Sequence, residues 1–158
     1  MSRLRLPIAL VTIVAALALP ASASALIQID RGIAGARLTN TQAEVRAALG
    51  KPVRVIRGRN IFGPTLTFRY RGGISVFFQG RRTVTAVFLT GRGDRTRRGV
   101  GVGSSERAVR NRVPGVTCDS VSGVRSCHTN EFLPGQRVTD FRIRNGRVNR
   151  VAVSFVID

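Results

Sequence analysis

Three residues carry the most reactive side chains within a short stretch: Cys118, Cys127 and the chain's one histidine, His128. Such a set admits a nucleophile with its base, a metal site, or a disulfide. Neighbours on a strand point to opposite faces, so Cys127 and His128 cannot share the hydrogen bond that activates a nucleophile. A zinc site fares no better, because Cys118, Cys127 and His128 offer three ligands without a close Cys-x-x-Cys pair. The disulfide fits the spacing. If Ser122-Gly123 forms the turn, pairing runs 121 with 124, 120 with 125, 119 with 126 and 118 with 127. The cysteines then occupy a non-hydrogen-bonded pair with Cα atoms about 4.5 Å apart, within disulfide reach. Closing so short a loop contributes about 2–3 kcal/mol in the chain-entropy model.

No other residues converge on a reaction. The acidic residues are scattered singly and Lys51 has no chemical setting, so the expectation is a non-enzymatic protein without cofactor or metal. Gly99–Ser105, beside Arg97, Arg98 and Arg107, has the makings of an anion cradle at a helix start. It lacks the βαβ context of a dinucleotide fingerprint and reads as a flexible connector ending in an N-cap. Arg92-Gly93-Asp94 matches a cell-adhesion tripeptide, but such triplets arise easily in an Arg- and Gly-rich stretch.

The 158 residues include 26 Lys plus Arg, 8 Asp plus Glu and no Trp, with 43% hydrophobic residues. That length and composition exclude a large multidomain enzyme, a collagenous chain and a broadly disordered one. Residues 1–25 read as a secretory signal peptide, with Arg3 and Arg5, an apolar run from Ile8 to Leu19, and small residues from Ala21 to Ala25. The run is shorter than the roughly 20 residues of a spanning helix, so the mature form is expected to have no integral membrane span. Removing the segment leaves 24 basic and 8 acidic residues, a net charge of +16. Such a field concentrates polyanions and acidic protein surfaces. The expected location is secreted or cell-envelope, an oxidising setting that suits the cysteine pair.

An offset of 64 residues aligns Val45 with Val109, Arg46 with Arg110, Phe68 with Phe132, Phe77 with Phe141, Val84 with Val148 and Val87 with Val151. Coincidences at one offset read as two copies of one unit. Thr41-Gln42-Ala43-Glu44 fits a capping box, Val45 and Leu49 form one helix face, and Gly50 with Pro52 ends the helix. In the second copy Ser104 or Ser105 caps, Val109 and Val113 repeat the stripe, and Pro114-Gly115 terminates. Helices this short need a larger element to pack on. β-branched and aromatic runs supply it: Val53–Arg57, Leu66–Tyr70, Ile74–Phe78, Val84–Thr90, Val116–Val121, Val138–Arg144 and Val148–Phe155, with Asn145-Gly146 as a hairpin turn.

The expected fold is therefore α+β, with two tandem repeats, each a short helical segment packed on an antiparallel β-meander. The divisions are 1–25 signal peptide, 26–90 first repeat, 91–103 Gly/Arg-rich linker, and 104–158 second repeat with the disulfide. The repeat register sends Phe77 and Phe141 toward the helices and leaves Phe78 and Phe88 on the open sheet face, joined by Arg142 and Arg144. An aromatic-to-basic face suits a protein interface; the alternatives are a second buried layer over Phe78 and Phe88, under the other repeat or the N-terminal segment, and an ordinary solvated face for Arg142 and Arg144.

The spacing of Leu38, Thr41, Leu49, Gly50 and Pro52, with Val84 near the end of the following meander, resembles the exported modules of the outer-membrane-assembly lipoprotein (SmpA/OmlA) family and their tandem form in β-lactamase-inhibitory protein. That resemblance implies helices on one face of an antiparallel sheet and non-enzymatic protein binding, and does not imply β-lactamase as target. The chain lacks a lipobox cysteine and has one cysteine pair rather than one per module. The functional expectation is an exported interaction or envelope-associated module that binds an unidentified protein partner through the open sheet face. The alternative is a basic secreted protein that binds anionic polymers such as cell-wall polymer, polysaccharide or nucleic acid.

Overall fold

Thr41 opens the first helix of the computed structural model, which describes residues 26–157; the signal-peptide segment, residues 1–25, lies outside the described residues. The Thr41 hydroxyl accepts from the Glu44 N–H while the Glu44 carboxylate accepts from the Thr41 N–H at 2.7 Å, the reciprocal capping box expected for α1 (Gln42–Leu49). Gly50 closes α1 at a φ of 77°, where a side chain would be strained. In α2 (Glu106–Arg112) the cap is Ser105, whose hydroxyl accepts from the Ala108 N–H at 3.2 Å. Val45, Val109 and Val113 are buried and Leu49 packs at the edge of the core, so both apolar stripes face inward.

Eight strands form one antiparallel sheet. They are β4 (Arg54–Asn60), β5 (Gly63–Arg69), β6 (Ile74–Gln79), β7 (Thr83–Leu89), β9 (Thr117–Val121), β10 (Val124–His128), β11 (Arg137–Arg144) and β12 (Arg147–Phe155). Their spatial order is β4-β5-β6-β7-β12-β11-β10-β9. The Asn145-Gly146 turn has positive φ at both residues, 51° and 71°, as the twist-matched two-residue hairpin loop requires. Ser122-Gly123 does the same between β9 and β10. A smaller sheet, order β3-β2-β1-β8, consists of β1 (Leu26–Gln28), β2 (Gly32–Ile33), β3 (Ala36–Arg37) and β8 (Arg95–Thr96). Gly32 permits its tight hairpin, since a Cβ there would lie 2.0 Å from the Ala36 carbonyl oxygen.

This architecture overturns the expected α+β fold of two tandem repeats. Among the described residues two α-helices of eight and seven residues stand against twelve strands, so this part of the chain is mostly β. β7 pairs with β12 through Val151 with Leu89, Ala152 with Phe88, Val153 with Val87 and Ser154 with Ala86, which merges both meanders into one sheet. Val45, Phe68, Phe78, Val109, Phe141 and Val153 all belong to a single core cluster. The physical reason is edge pairing: each meander alone would leave an unpaired strand where β7 and β12 now satisfy one another.

The helices and the small sheet cover one face of the large sheet. Ile27, Ile33, Ala36, Val100 and Val102 from this covering layer are buried against the sheet. The 91–103 stretch, expected as a linker, carries β8, which runs parallel to β1, and contributes core residues Val100 and Val102. A polar latch also crosses the layers. Thr129 and Thr139 donate their hydroxyls to Asp30 Oδ1, and Asn130 Nδ2 donates to Asp30 Oδ2 at 3.0 Å.

Candidate interaction face

Among the described residues neither helix nor small sheet covers the second face of the large sheet, although Val138 and His128 at its β10–β11 end are buried, and strand parity decides which side chains it displays. Phe78 is not one of them. It is fully buried, with its ring edge-on to Phe68 at a centroid distance of 4.9 Å, so its expected place on the open face is corrected. Phe77 takes that place.

The cause is hairpin length: three residues, 80–82, join β6 to β7 where only Asn145-Gly146 joins β11 to β12, while both pairs carry a bulge. Phe77 faces Ala86 but Phe78 faces Val84, leaving Thr85 as the extra residue on β7. Likewise Arg142 faces Arg150 and Ile143 faces Val148, leaving Asn149 extra on β12. The bulges keep the 64-residue offset, but the residues opposite them, Phe77 with Arg142 and Phe78 with Ile143, are offset by 65. A shift of one residue moves every side chain to the other face.

Three rows of facing residues make up the open surface. One runs Thr67, Phe77, Ala86, Ser154, Val138. The next runs Ser75, Phe88, Ala152, Asp140, His128. The third runs Arg150, Arg142, Ser126, Asp119. Phe77 and Phe88 are half-buried and frame Ala86 and Ala152, whose small side chains make a shallow apolar floor at the β7–β12 seam. The Arg150 guanidinium lies over the Phe88 ring at 5.6 Å. Arg142 is half-buried on this face, and Arg144, two residues on, is exposed beside a cleft of about 410 Å³ that Arg125, Arg142 and Asn149 also line.

Asp140 and Arg150 have unspent hydrogen-bonding capacity. Asp140 Oδ1 and Arg150 Nε are buried and bond to no described residue. Burial raises the Asp140 carboxyl above its ordinary value, against the lowering influence of the Ser126 hydroxyl, Arg150, His128 and Arg142.

His128 is buried, and both ring nitrogens face acceptors: Nδ1 lies 2.9 Å from the Asn130 carbonyl and Nε2 3.3 Å from Asp119 Oδ2. Phe132 covers the ring at 4.7 Å. Burial alone lowers the imidazole pKa, yet the Asn130 carbonyl, the Asp119 carboxylate and the Asp140 charge together raise it above the usual histidine value. An acceptor at each ring nitrogen favours the protonated imidazole. Sequence distance hid this cluster. The paired register of β9, β10 and β11 was the signal that brings Asp119, His128 and Asp140 together.

Cys118 and Cys127 face each other and are joined by a disulfide, in the expected register around Ser122-Gly123. The Glu106 carboxylate lies within 4.8 Å of both sulfurs, but the bond leaves no thiolate there for a metal. An apolar cleft of about 780 Å³, lined by Leu26, Ala48, Leu49 and Ile74, has Arg92 and Asp94 as its only ionisable lining residues among those described. No helix among the described residues is long and apolar enough to cross a membrane.

No protein-family model matches the chain, and no curated protein is similar to it. Its fold is similar to that of the uncharacterized protein yfeY from Escherichia coli, with a TM-score of 0.52 and 12% identity over 83% of this chain and 99% of that one. It is also similar to an extracellular protein containing a SCP domain from Bacillus anthracis str. Ames, with a TM-score of 0.51 and 8% identity over 75% of this chain. The chain spans 44% of that protein's length. At these identities the likeness is one of fold.

Proposed function

We propose that this chain is an exported, non-enzymatic binding module that docks a protein partner on the open face of the large sheet. The observation that carries the reading is the floor of Ala86 and Ala152 framed by Phe77 and Phe88, with the unspent polar atoms of Asp140 and Arg150 beside it. An apolar centre with aromatic and Arg anchors and a polar edge is the composition of an interface core. The net positive charge favours a partner with an acidic rim. The disulfide and the N-terminal address segment support an extracytoplasmic location. Affinity capture from the native envelope or secretome tests the reading, comparing wild type with a Phe77→Asp, Phe88→Asp variant. Loss of a specific protein in the variant is expected, and unchanged capture sinks the proposal.

A second reading rests on Arg142 and Arg144, which form no ion pair with any described residue and stand beside one cleft. They suit an anionic polymer. Salt separates the two: polymer binding through several guanidiniums weakens steeply and linearly with log salt, whereas a contact centred on Phe77 and Phe88 responds mildly.

A further inference from the structure

The two-residue loop Ile61-Phe62 joins β4 to β5 at a hairpin tip where turn chemistry calls for Asn, Gly or Asp. Ile61 is 92% exposed and Phe62 48%, so neither is there to fill the core. The tip is held firmly nonetheless. Asn60 Oδ1 accepts from the Phe62 N–H at 3.0 Å, while the Asn60 and Gln79 side-chain amides bond to each other at 3.0 and 3.3 Å. That amide pair fastens the tip to the neighbouring β6–β7 hairpin, whose turn carries exposed Arg81 and Arg82. Arg59 is exposed one residue before Asn60. Residues 45–93 contain ten basic residues and no acidic one.

We propose that this end of the sheet docks on an anionic lipid bilayer, with Ile61 and Phe62 entering the boundary between headgroups and acyl chains and Arg59, Arg81 and Arg82 at headgroup level. The charge is complementary, and each basic residue near such a surface adds attraction that salt screens. A rigid apolar tip ringed by guanidiniums gives the two-signal combination that reversible membrane binding needs. A nucleic acid fits less well, because bases stack on flat rings and Ile61, the more exposed of the pair, has none. The inference is independent of the open face, whose aromatic residues lie along the strands rather than at the tips.

The test uses the chain as recovered after export, sedimented with phosphatidylglycerol-containing vesicles and with purely zwitterionic ones. Binding to the anionic vesicles is expected, with about a tenfold loss for Ile61→Asp, Phe62→Asp, since two apolar side chains leave the lipid. Val121→Asp, at the opposite end of the sheet, is expected to bind as wild type. The chain has no tryptophan, so Phe62→Trp makes a sole reporter whose emission shifts to shorter wavelength on anionic vesicles. Absence of sedimentation, unchanged Trp emission, or indifference to the tip substitutions each overturns the proposal. So does equal binding to polyphosphate or an oligonucleotide that ignores Ile61 and Phe62, or a concentration-dependent shift without lipid, which assigns the tip to a second copy of the chain.

Discussion

The Arg150 guanidinium lies 5.6 Å over the Phe88 ring while its Nε bonds to no described residue, so this arginine is held by a face rather than by an acceptor. Arg150→Ala is expected to cost only about 0.5–1 kcal/mol of stability, the value of a surface cation–π contact, while reducing partner capture as strongly as Phe88→Asp. Thermal unfolding and capture, measured together, separate the roles. A loss of several kcal/mol with capture intact makes Arg150 a structural residue.

Phe77 and Phe78 are adjacent and chemically identical, so truncating each one measures which face it occupies. Phe78→Ala is expected to cost about 3–5 kcal/mol, because it opens a cavity beside Phe68. Phe77→Ala is expected to cost at most about 1.5 kcal/mol, since its half-exposed ring gives up less burial. Urea titration of the two variants decides the matter, and a reversed order contradicts the faces assigned along β6.

These two phenylalanines also mark the limit of what could be read ahead of the structure. The caps at Thr41 and Ser105, the turns at Ser122-Gly123 and Asn145-Gly146, the meander strands and the facing cysteines are local features, each set by residues a few positions apart. Phe78's burial follows from the alternation of Ile74, Val76 and Phe78 along β6, but a constant repeat offset carried across hairpins of unequal length conceals a one-residue slip. The small sheet was invisible for a different reason. Its strands are two or three residues long, too short for any hydrophobic period, and β8 joins β1 from almost 70 residues away. The pairing of β7 with β12 was missed because edge strands advertise an unpaired backbone, not a partner.

His128 gives the protein a pH dependence with a definite sign. Its folded pKa is raised, so the stabilisation it brings is fully present below the ordinary value of 6.5 and is lost as pH rises through the folded value. Wild type is expected to lose stability from near neutral pH upward relative to His128→Gln, whose profile is flat in that window. The facing groups are Asp119, Asp140 and the Asn130 carbonyl, and the difference between the two proteins isolates the imidazole from Asp140. Denaturant melts at intervals from pH 5 to 9 measure it, and parallel profiles refute it.

The Cys118–Cys127 bond secures β9, the outermost strand on its side of the sheet, to β10. Cys118→Ser, Cys127→Ser is expected to lower stability by about 2–3 kcal/mol, the loop-closure value for so short a span. Mass measurement of the exported protein is expected to show a gain of two hydrogens only after reduction and unfolding. Two free thiols in the untreated protein refute the pairing.

Glu106 joins α2 to the sheet and makes the fold sensitive to acid. Arg125 of β10 donates to both of its carboxylate oxygens, at 2.5 and 3.2 Å, and Arg110 donates from one helical turn onward. Hydrogen bonds from Arg125 first, and Arg110 second, lower the Glu106 pKa to about 2. A depressed carboxylate contributes stability that is present above its unfolded value of 4.5 and lost as pH falls toward about 2. Solvent screens the pair, so the contribution is about 1 kcal/mol rather than what the shift alone implies. The two arginines are expected to differ. Arg110→Ala removes an exposed i,i+4 helix pair worth about 0.3–0.5 kcal/mol, whereas Arg125→Ala releases α2 from β10 and costs more. Acid titration of wild type, Glu106→Gln, Arg110→Ala and Arg125→Ala checks the order: Glu106→Gln flattens the loss between pH 4.5 and 2, and equal effects of the two arginines contradict the bridging role of Arg125.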